Sequence, residues 1–304
     1  MGKIAFVFSG QGSQYSGMGK SLFETSPAAR QVFETADKLR PGTSEQCFSG
    51  TAEELSLTKN TQPCLYCVDL AAARALEEAG VHADFAAGFS LGEVAALTFS
   101  GAFSEEDGFS FVCRRAAAMQ EAAEQSPGAM AAVLKLPNET VEQLCREFSH
   151  VWAVNYNCPG QLVVAGEKAE LEAFCASVAE KGGRAVPLAV SGGFHSPLMA
   201  GAAERLRGEL ENIFMKRPRL PVYANFTAQP YGENAKELLL EQVKNPVRWQ
   251  ETVENLAAQG VDTFIECGAG KTLCGLIKKT VKDATVLRVE DVETLQAAVN
   301  ALQG

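Results

Sequence analysis

The sequence predicts an α/β fold in which a large domain with a mostly parallel sheet carries a small inserted domain. Three observations carry this expectation. Short apolar runs alternate with stretches of helical spacing through most of the chain; the runs are of strand length and bounded by turn residues; and between about 129 and 188 the rhythm changes to β-α-β-β-α-β. That last order is the split βαβ arrangement of ferredoxin-like domains.

The elements follow in order. Ile4-Ala5-Phe6-Val7-Phe8, ended by Ser9-Gly10, reads as a first buried strand, and 83–87, 221–224, 262–266 and 284–288 read likewise. Helical spacing and good helix formers mark 63–79, 105–124, 197–214, 236–243, 249–258 and 291–302. Inside the insert, Ala129–Leu134, Val151–Asn155, Leu162–Ala165 and Arg184–Leu188 are expected strands, with helices over Asn138–Glu147 and Glu167–Lys181. Asn138 and Glu139 after Pro137 suit a helix start, and Gly182-Gly183 a helix end. The turn-rich edges Ser126-Pro127-Gly128 and Ser191-Gly192-Gly193 could hinge, which divides the chain into a large domain of 1–126 and 191–304 and an insert of 127–190.

Composition narrows the function. Among 304 residues, 27 Lys+Arg face 37 Asp+Glu, a net charge of −10 with no basic run, so no nucleic-acid footprint is present. No apolar run approaches the ~20 residues of a membrane span. Met1-Gly2-Lys3 leads directly into the first strand rather than into a signal peptide, so a cytoplasmic protein is expected. Nine cysteines, an odd and scattered set, suggest reduced thiols. Cys64 and Cys67 form a C-x-x-C without the second pair that zinc requires, and no metal site is expected.

Gly88-Phe89-Ser90-Leu91-Gly92-Glu93 lies between an expected strand and a helix-forming stretch, the strand–turn–helix setting of a nucleophile elbow. A plain turn with a serine helix cap would share that pattern. A serine nucleophile needs a base, and the chain offers three histidines. His82 and His150 read as solvated loop residues. His195, in Gly192-Gly193-Phe194-His195-Ser196-Pro197 just after the insert, is the best placed, and no acid adjoins it. Two phosphate-loop readings fail. Gly10-Gln11-Gly12-Ser13-Gln14 has Tyr15 where the dinucleotide pattern needs glycine, and Gly268-Ala269-Gly270-Lys271-Thr272 has Ile265 where the Walker pattern needs one. Arg114 and Arg115 sit together on the helix 105–124, where such a pair is ordinarily solvated.

Gly10-Gln11-Gly12-Ser13-Gln14, Gly88-x-Ser90-Leu91-Gly92-Glu93, Arg115 with Met119-Gln120, Asn155-Tyr156-Asn157-x-Pro159-Gly160-Gln161, Phe194-His195-Ser196-Pro197-Leu198-Met199 and Asn245-Pro246-Val247-x-Trp249 occur in this order across nearly the whole chain. Together they resemble the malonyl-CoA:acyl-carrier-protein transacylases. The resemblance implies an α/β-hydrolase-like large domain with a ferredoxin-like insert and the site between them. It implies Ser90 as nucleophile, His195 as general base oriented by the main-chain carbonyl of Gln242, an oxyanion hole from the N–H groups of Gln11 and Leu91, and Arg115 as clamp for the malonyl carboxylate. It departs at Phe89, where most relatives carry histidine, a position that bears on pocket shape and acyl selectivity; Phe194 keeps the bulky ring of malonyl-selective relatives. Malonyl-CoA and an acyl carrier protein are the implied partners, with no cofactor beyond the coenzyme A thioester substrate, and a monomer is expected. Lys271, Lys278 and Lys279 are candidates for docking an acidic carrier. Two other readings stay open: a polyketide-pathway acyltransferase using another acyl-CoA, and a serine thioesterase or esterase.

Overall fold

The structure is a computed structural model and describes residues 2–190 and 192–303; Ser191, at the second predicted domain edge, lies outside the described residues. Its strands run in chain order as β1 Lys3–Phe8, β2 Phe85–Gly88, β3 Ala129–Leu134, β4 Val151–Cys158, β5 Gln161–Gly166, β6 Arg184–Pro187, β7 Val222–Tyr223, β8 Val261–Cys267 and β9 Thr285–Val289. They form two sheets. The first has the order β7-β2-β1-β8-β9, and every pairing in it is parallel.

Burial explains why β1 reads as an unbroken apolar run. Ile4, Phe6 and Phe8 join one buried cluster, with helix Thr58–Glu78 among its contributors, while Ala5 and Val7 face a second with Trp249, Phe264 and Leu273. A parallel strand covered on both faces has no solvent side on which to carry polar residues.

The second sheet has the order β4-β5-β3-β6, antiparallel throughout, which is the ferredoxin-like arrangement expected from the rhythm of 129–188. Its Ala131, Val133, Leu162 and Val164 pack under helices Asn138–Cys145 and Lys168–Glu180, through Val141, Leu144, Leu171 and Phe174. From the opposite face, Met130, Ala132, Val163 and Ala165 join the cluster that covers the parallel sheet. The chain enters and leaves this region side by side: a Cβ on Gly128 would stand 2.9 Å from Gly193 N. A further tie runs from β4 to the 245–247 segment, with Tyr156 N–H on Val247 O at 2.9 Å and Val247 N–H on Val154 O at 2.8 Å.

Two expected elements change, and one stretch holds helices that the sequence did not predict. The helix expected from residue 63 begins at Thr58, its extra turn anchored by the N–H groups of Asn60 and Thr61 on Leu57 O, 2.8 Å each. The stretch 197–214 divides into a 3₁₀ turn, Pro197–Met199, and a helix, Ala200–Glu211. Ser196 forces the division, because its Oγ accepts from Leu198 N–H and closes a local turn before the helix can start. Between residues 20 and 56, where no element was expected, lie four short helices: Lys20–Thr25, Pro27–Leu39, Thr43–Ser49 and Ala52–Ser56.

Candidate active site

Several loops that leave the carboxyl ends of the parallel strands meet at one place, the position at which open α/β sheets build their sites. The elbow after β2 is the tightest of them. A Cβ on Gly88 would stand 1.9 Å from the carbonyl carbon of Gly92, and one on Gly92 would stand 2.3 Å from Phe8 O. Both obstacles are backbone, so neither position admits a side chain. Between them Ser90 is held at φ 56°, ψ −108°, a region that costs a non-glycine residue about 1–3 kcal/mol and persists only when neighbours impose it.

Those neighbours are two buried amides. Ser90 N–H donates to Asn225 Oδ1 at 2.7 Å, and Ser90 O accepts from Gln242 Nε2 at 2.6 Å. Asn225 is fixed in turn by its Nδ2 on Gly88 O, at 2.6 Å.

His195 is 3 % exposed and also has a positive φ, 61°. Its Nδ1 lies 2.8 Å from Gln242 O and its Nε2 2.8 Å from Ser90 Oγ. A carbonyl can only accept, so Nδ1 carries the proton and Nε2 presents its lone pair to the serine hydroxyl. Burial, and after it the charge of Arg115, hold the imidazole down at about 4. His195 is therefore neutral and able to take a proton throughout the physiological range.

A pH dependence follows with a definite sign. The rate constant for acylating Ser90 at low acyl-CoA concentration should be flat with respect to this group above about pH 5 and decline only near about 4. An unfolded histidine titrates near ~6.5. The unfolded chain thus binds more protons between those values, and the stability associated with this group is whole above about 6.5 and is lost as pH falls toward about 4. Single-turnover acylation measured from pH 4 to 8 checks the first expectation; an acid limb at the ordinary histidine value would overturn it.

Arg115 is 1 % exposed, whereas its neighbour Arg114 is exposed and pairs with Glu209. The Arg115 guanidinium donates to Gln62 Oε1 at 2.6 Å, Gln242 Oε1 at 2.9 Å and Ser90 Oγ at 3.2 Å. Burial lowers its affinity for its proton, to about 10, and the nearby Glu93 carboxylate opposes that shift. A cation thus stands at the serine oxygen in a dry setting.

The first-strand loop comes to the same point. A Cβ on Gly10 would lie 2.9 Å from Phe89 O, so glycine there lets this loop press on the elbow. The N–H groups of Gln11 and Leu91 meet no acceptor among the described residues. The Phe89 ring packs edge-on against Trp249 at 5.7 Å, and Phe194 is buried in the main core cluster. A cavity of about 530 Å³, whose walls include Trp152, Tyr156, Lys244 and Pro246, is lined on one side by His195.

The structure therefore brings Ser90, His195, Arg115 and Gln242 together, with the Gln11 loop beside them. His82 and His150 stand apart and exposed, His150 bonded to Glu170 at 2.8 Å. Sequence reasoning did not find Gln62, Asn225 or Tyr231, and it assigned no role to Glu93 or to the Gln242 side chain. Asn225 carried a signal, since it directly follows an expected strand and so falls at the carboxyl edge. Gln62 and Tyr231 carried none.

The profile of the acyl transferase domain family matches residues 5–301. The chain belongs to this acyltransferase family. Among similar members is the malonyl CoA-acyl carrier protein transacylase of Bacillus subtilis, 43 % identical over 311 residues that cover 100 % of this chain and 98 % of that one. The crystal structure of the transacylase of that name from Clostridium perfringens superposes with a TM-score of 0.96 at 40 % identity, covering 99 % of this chain and 97 % of the other. A type II PKS acyl-carrier protein in complex with its malonyl-transacylase gives 0.94 at 37 % identity, with 98 % and 99 % covered. The acyltransferase fold is thus a mixed α/β structure with a parallel sheet and a separate antiparallel one.

Proposed function

We propose that this acyltransferase moves a malonyl group from malonyl-CoA to the phosphopantetheine thiol of an acyl carrier protein, through an ester on Ser90, and so supplies fatty acid synthesis. The observation that carries the reading is a single oxygen with two neighbours: Ser90 Oγ lies 2.8 Å from an unprotonated His195 Nε2 and 3.2 Å from the buried Arg115 guanidinium. The first makes a nucleophile; the second selects an acyl group that ends in a carboxylate.

In the forward half-reaction Ser90 Oγ attacks the thioester carbonyl while its proton passes to His195 Nε2. The oxyanion of the tetrahedral adduct is received by the N–H groups of Gln11 and Leu91, and donors of this kind contribute about 3–4 kcal/mol each. Collapse breaks the C–S bond, and the coenzyme A sulfur takes the proton back from His195. In the second half the carrier thiol gives its proton to His195 and attacks the ester carbonyl; collapse breaks the acyl–Oγ bond, and His195 returns that proton to Ser90 Oγ. Gln242 O stabilises the transient imidazolium at Nδ1 in the role an acid often fills. The steps use only groups of the chain and its substrates.

Residues 1–126 and 191–304 would form the large domain and 127–190 the insert, with the site in the gorge between them. All the named groups come from one chain, which fits a monomer, and nine free cysteines fit a reducing, cytoplasmic compartment. No helix among the described residues is long and apolar enough to cross a membrane. Lys278 and Lys279 are exposed at the end of helix Thr272–Thr280, and Lys279 Nζ reaches Gln161 Oε1 at 3.4 Å; this basic turn would meet the acidic carrier.

The test is a two-step incubation. Malonyl-CoA alone should leave a malonyl ester on Ser90, detected by peptide mass spectrometry, and holo-carrier added afterwards should discharge it as malonyl-carrier, whereas carrier lacking its phosphopantetheine should not. Rapid release of free malonate with no carrier product would instead establish a thioesterase.

A further inference from the structure

The Gln242 side chain is wholly buried, and its two ends face partners of opposite kind. Its Oε1 accepts from Arg115 Nη2 at 2.9 Å, and its Nε2 donates to Ser90 O at 2.6 Å and to Glu93 Oε2 at 2.9 Å. The two ends of a carboxamide are nearly the same size, so shape alone does not decide which way round it lies; the partners must. Turned over, Gln242 would set its NH₂ against the donor-only guanidinium and its oxygen against two acceptors.

Glu93 occupies the far side of this arrangement, fully buried in the first turn of helix Leu91–Phe99. Its Oε2 also accepts from Asn225 N–H at 3.2 Å, and its Oε1 accepts from Tyr231 OH. It stands behind both side chains that grip the strained Ser90 peptide, Gln242 on the carbonyl and Asn225 on the N–H. The mechanism proposed above gives it no task, and a carboxyl group is costly to bury without one.

We infer that Glu93 is a positioning residue whose acceptor-only carboxylate fixes the orientation of the Gln242 amide and thereby seats Arg115 for the malonyl carboxylate. The inference rests on the malonyl-transfer reading. Its physical content is polarity rather than size. A glutamine at 93 fills the same volume yet can turn an NH₂ toward Gln242, and a reversed Gln242 then withdraws its oxygen from Arg115 and its donor from Ser90 O. Burial raises the Glu93 carboxyl to about 7, against the opposing hydrogen bonds from Tyr231, Gln242 and Asn225 N–H and the charge of Arg115; above that pH the acceptor-only form prevails, and its charge in turn favours the protonated form of the buried Arg115 guanidinium.

The experiment compares Glu93→Gln, Tyr231→Phe and wild-type full-length chains for malonyl-CoA and acetyl-CoA transfer to holo-carrier, with thermal unfolding as the check on folding. Glu93→Gln should lower malonyl kcat/KM about tenfold to a hundredfold, the scale expected when a substrate-holding group is misplaced, and acetyl kcat/KM distinctly less. Tyr231→Phe, which removes one bond to the other carboxylate oxygen, should shift the malonyl-to-acetyl ratio in the same direction by about two- to fivefold. In an Arg115→Ala background, where no clamp is left to seat, Glu93→Gln should change malonyl transfer by less than about threefold, because residues acting as one unit are not additive. An unchanged malonyl-to-acetyl ratio in the folded variants, or an undiminished Glu93→Gln effect on the Arg115→Ala background, would overturn the inference. Should Glu93→Gln fail to fold, the ratio in Tyr231→Phe decides. A wild-type chain that transfers no malonyl group would remove the functional reading itself, an outcome distinct from either.

Discussion

Ser90→Ala should carry no acyl ester and should transfer malonyl about four to six orders of magnitude more slowly than the wild type, while the Ser90→Ala/His195→Ala double variant should be scarcely slower than either single one. The expectation comes from the shape of the hydrogen-bond chain, Gln242 O to His195 Nδ1–H, then Nε2 to Ser90 O–H. The imidazole activates nothing if the hydroxyl is gone, and the hydroxyl stays an un-ionised alcohol if the imidazole is gone. Their energetic contributions are therefore shared, not summed. Single-turnover measurements on the three variants, with intact-protein mass spectra, test this. Two large single losses that multiply in the double variant would show the residues acting independently, and the 2.8 Å contact between them would then have no catalytic meaning.

The contrast between what sequence reasoning reached and what it missed has a physical basis. The elbow was legible because a backbone constraint wrote it: only glycine fits at 88 and 92, and the flanking strand and helix are local patterns. The small antiparallel sheet was legible for the same reason, through alternating elements with sharp turns such as Pro159-Gly160. His195 could be reached by scarcity, one of three histidines and the one where the chain returns from the insert. Arg115 could not be told from Arg114 by composition or spacing. Consecutive helical residues point about 100° apart, and which of them is buried depends on packing against helices remote in sequence, here Thr58–Glu78 and Ala200–Glu211. Only the resemblance singled it out. Buried Gln62, Glu93 and Asn225 and half-buried Tyr231 become one network solely because four distant segments converge, and no local pattern encodes that convergence. The four helices between 20 and 56 did leave marks. Ser26 caps Pro27–Leu39 with proline at its first position, and Thr51 and Glu54 form a reciprocal capping box. Those helices are short, however, and their apolar faces are set more by the helix they cover than by a long repeat.

Arg115→Ala should invert the acyl preference, with malonyl transfer falling by orders of magnitude while acetyl transfer holds or rises. In the folded chain the guanidinium is almost wholly enclosed, and its bonds run to two neutral carboxamides and a hydroxyl. A malonyl carboxylate entering that space gives it a direct anionic partner and exchanges water for a planar fork of donors. Removing one member of such a buried pair costs about 3–5 kcal/mol, because the other is left desolvated and alone, which corresponds to roughly a hundredfold to several-thousandfold in rate. An acetyl group has no carboxylate to strand. For it the variant removes a cation that makes no direct ion pair in a dry pocket, together with one donor to Ser90 Oγ. The same substitution should move the acid limb of acylation upward, since the positive charge of Arg115 is one of the two causes that depress His195, burial being the larger. Arg115→Lys, which keeps the charge but loses the fork, should fall between the two enzymes for malonyl-CoA. Steady-state transfer of both acyl groups to holo-carrier, with the acid limb followed in parallel, makes the test. Equal loss of malonyl and acetyl transfer would mean that Arg115 supports the serine through its 3.2 Å contact rather than reading the substrate, and selectivity would then have to come from the pocket walls around Phe89 and Phe194.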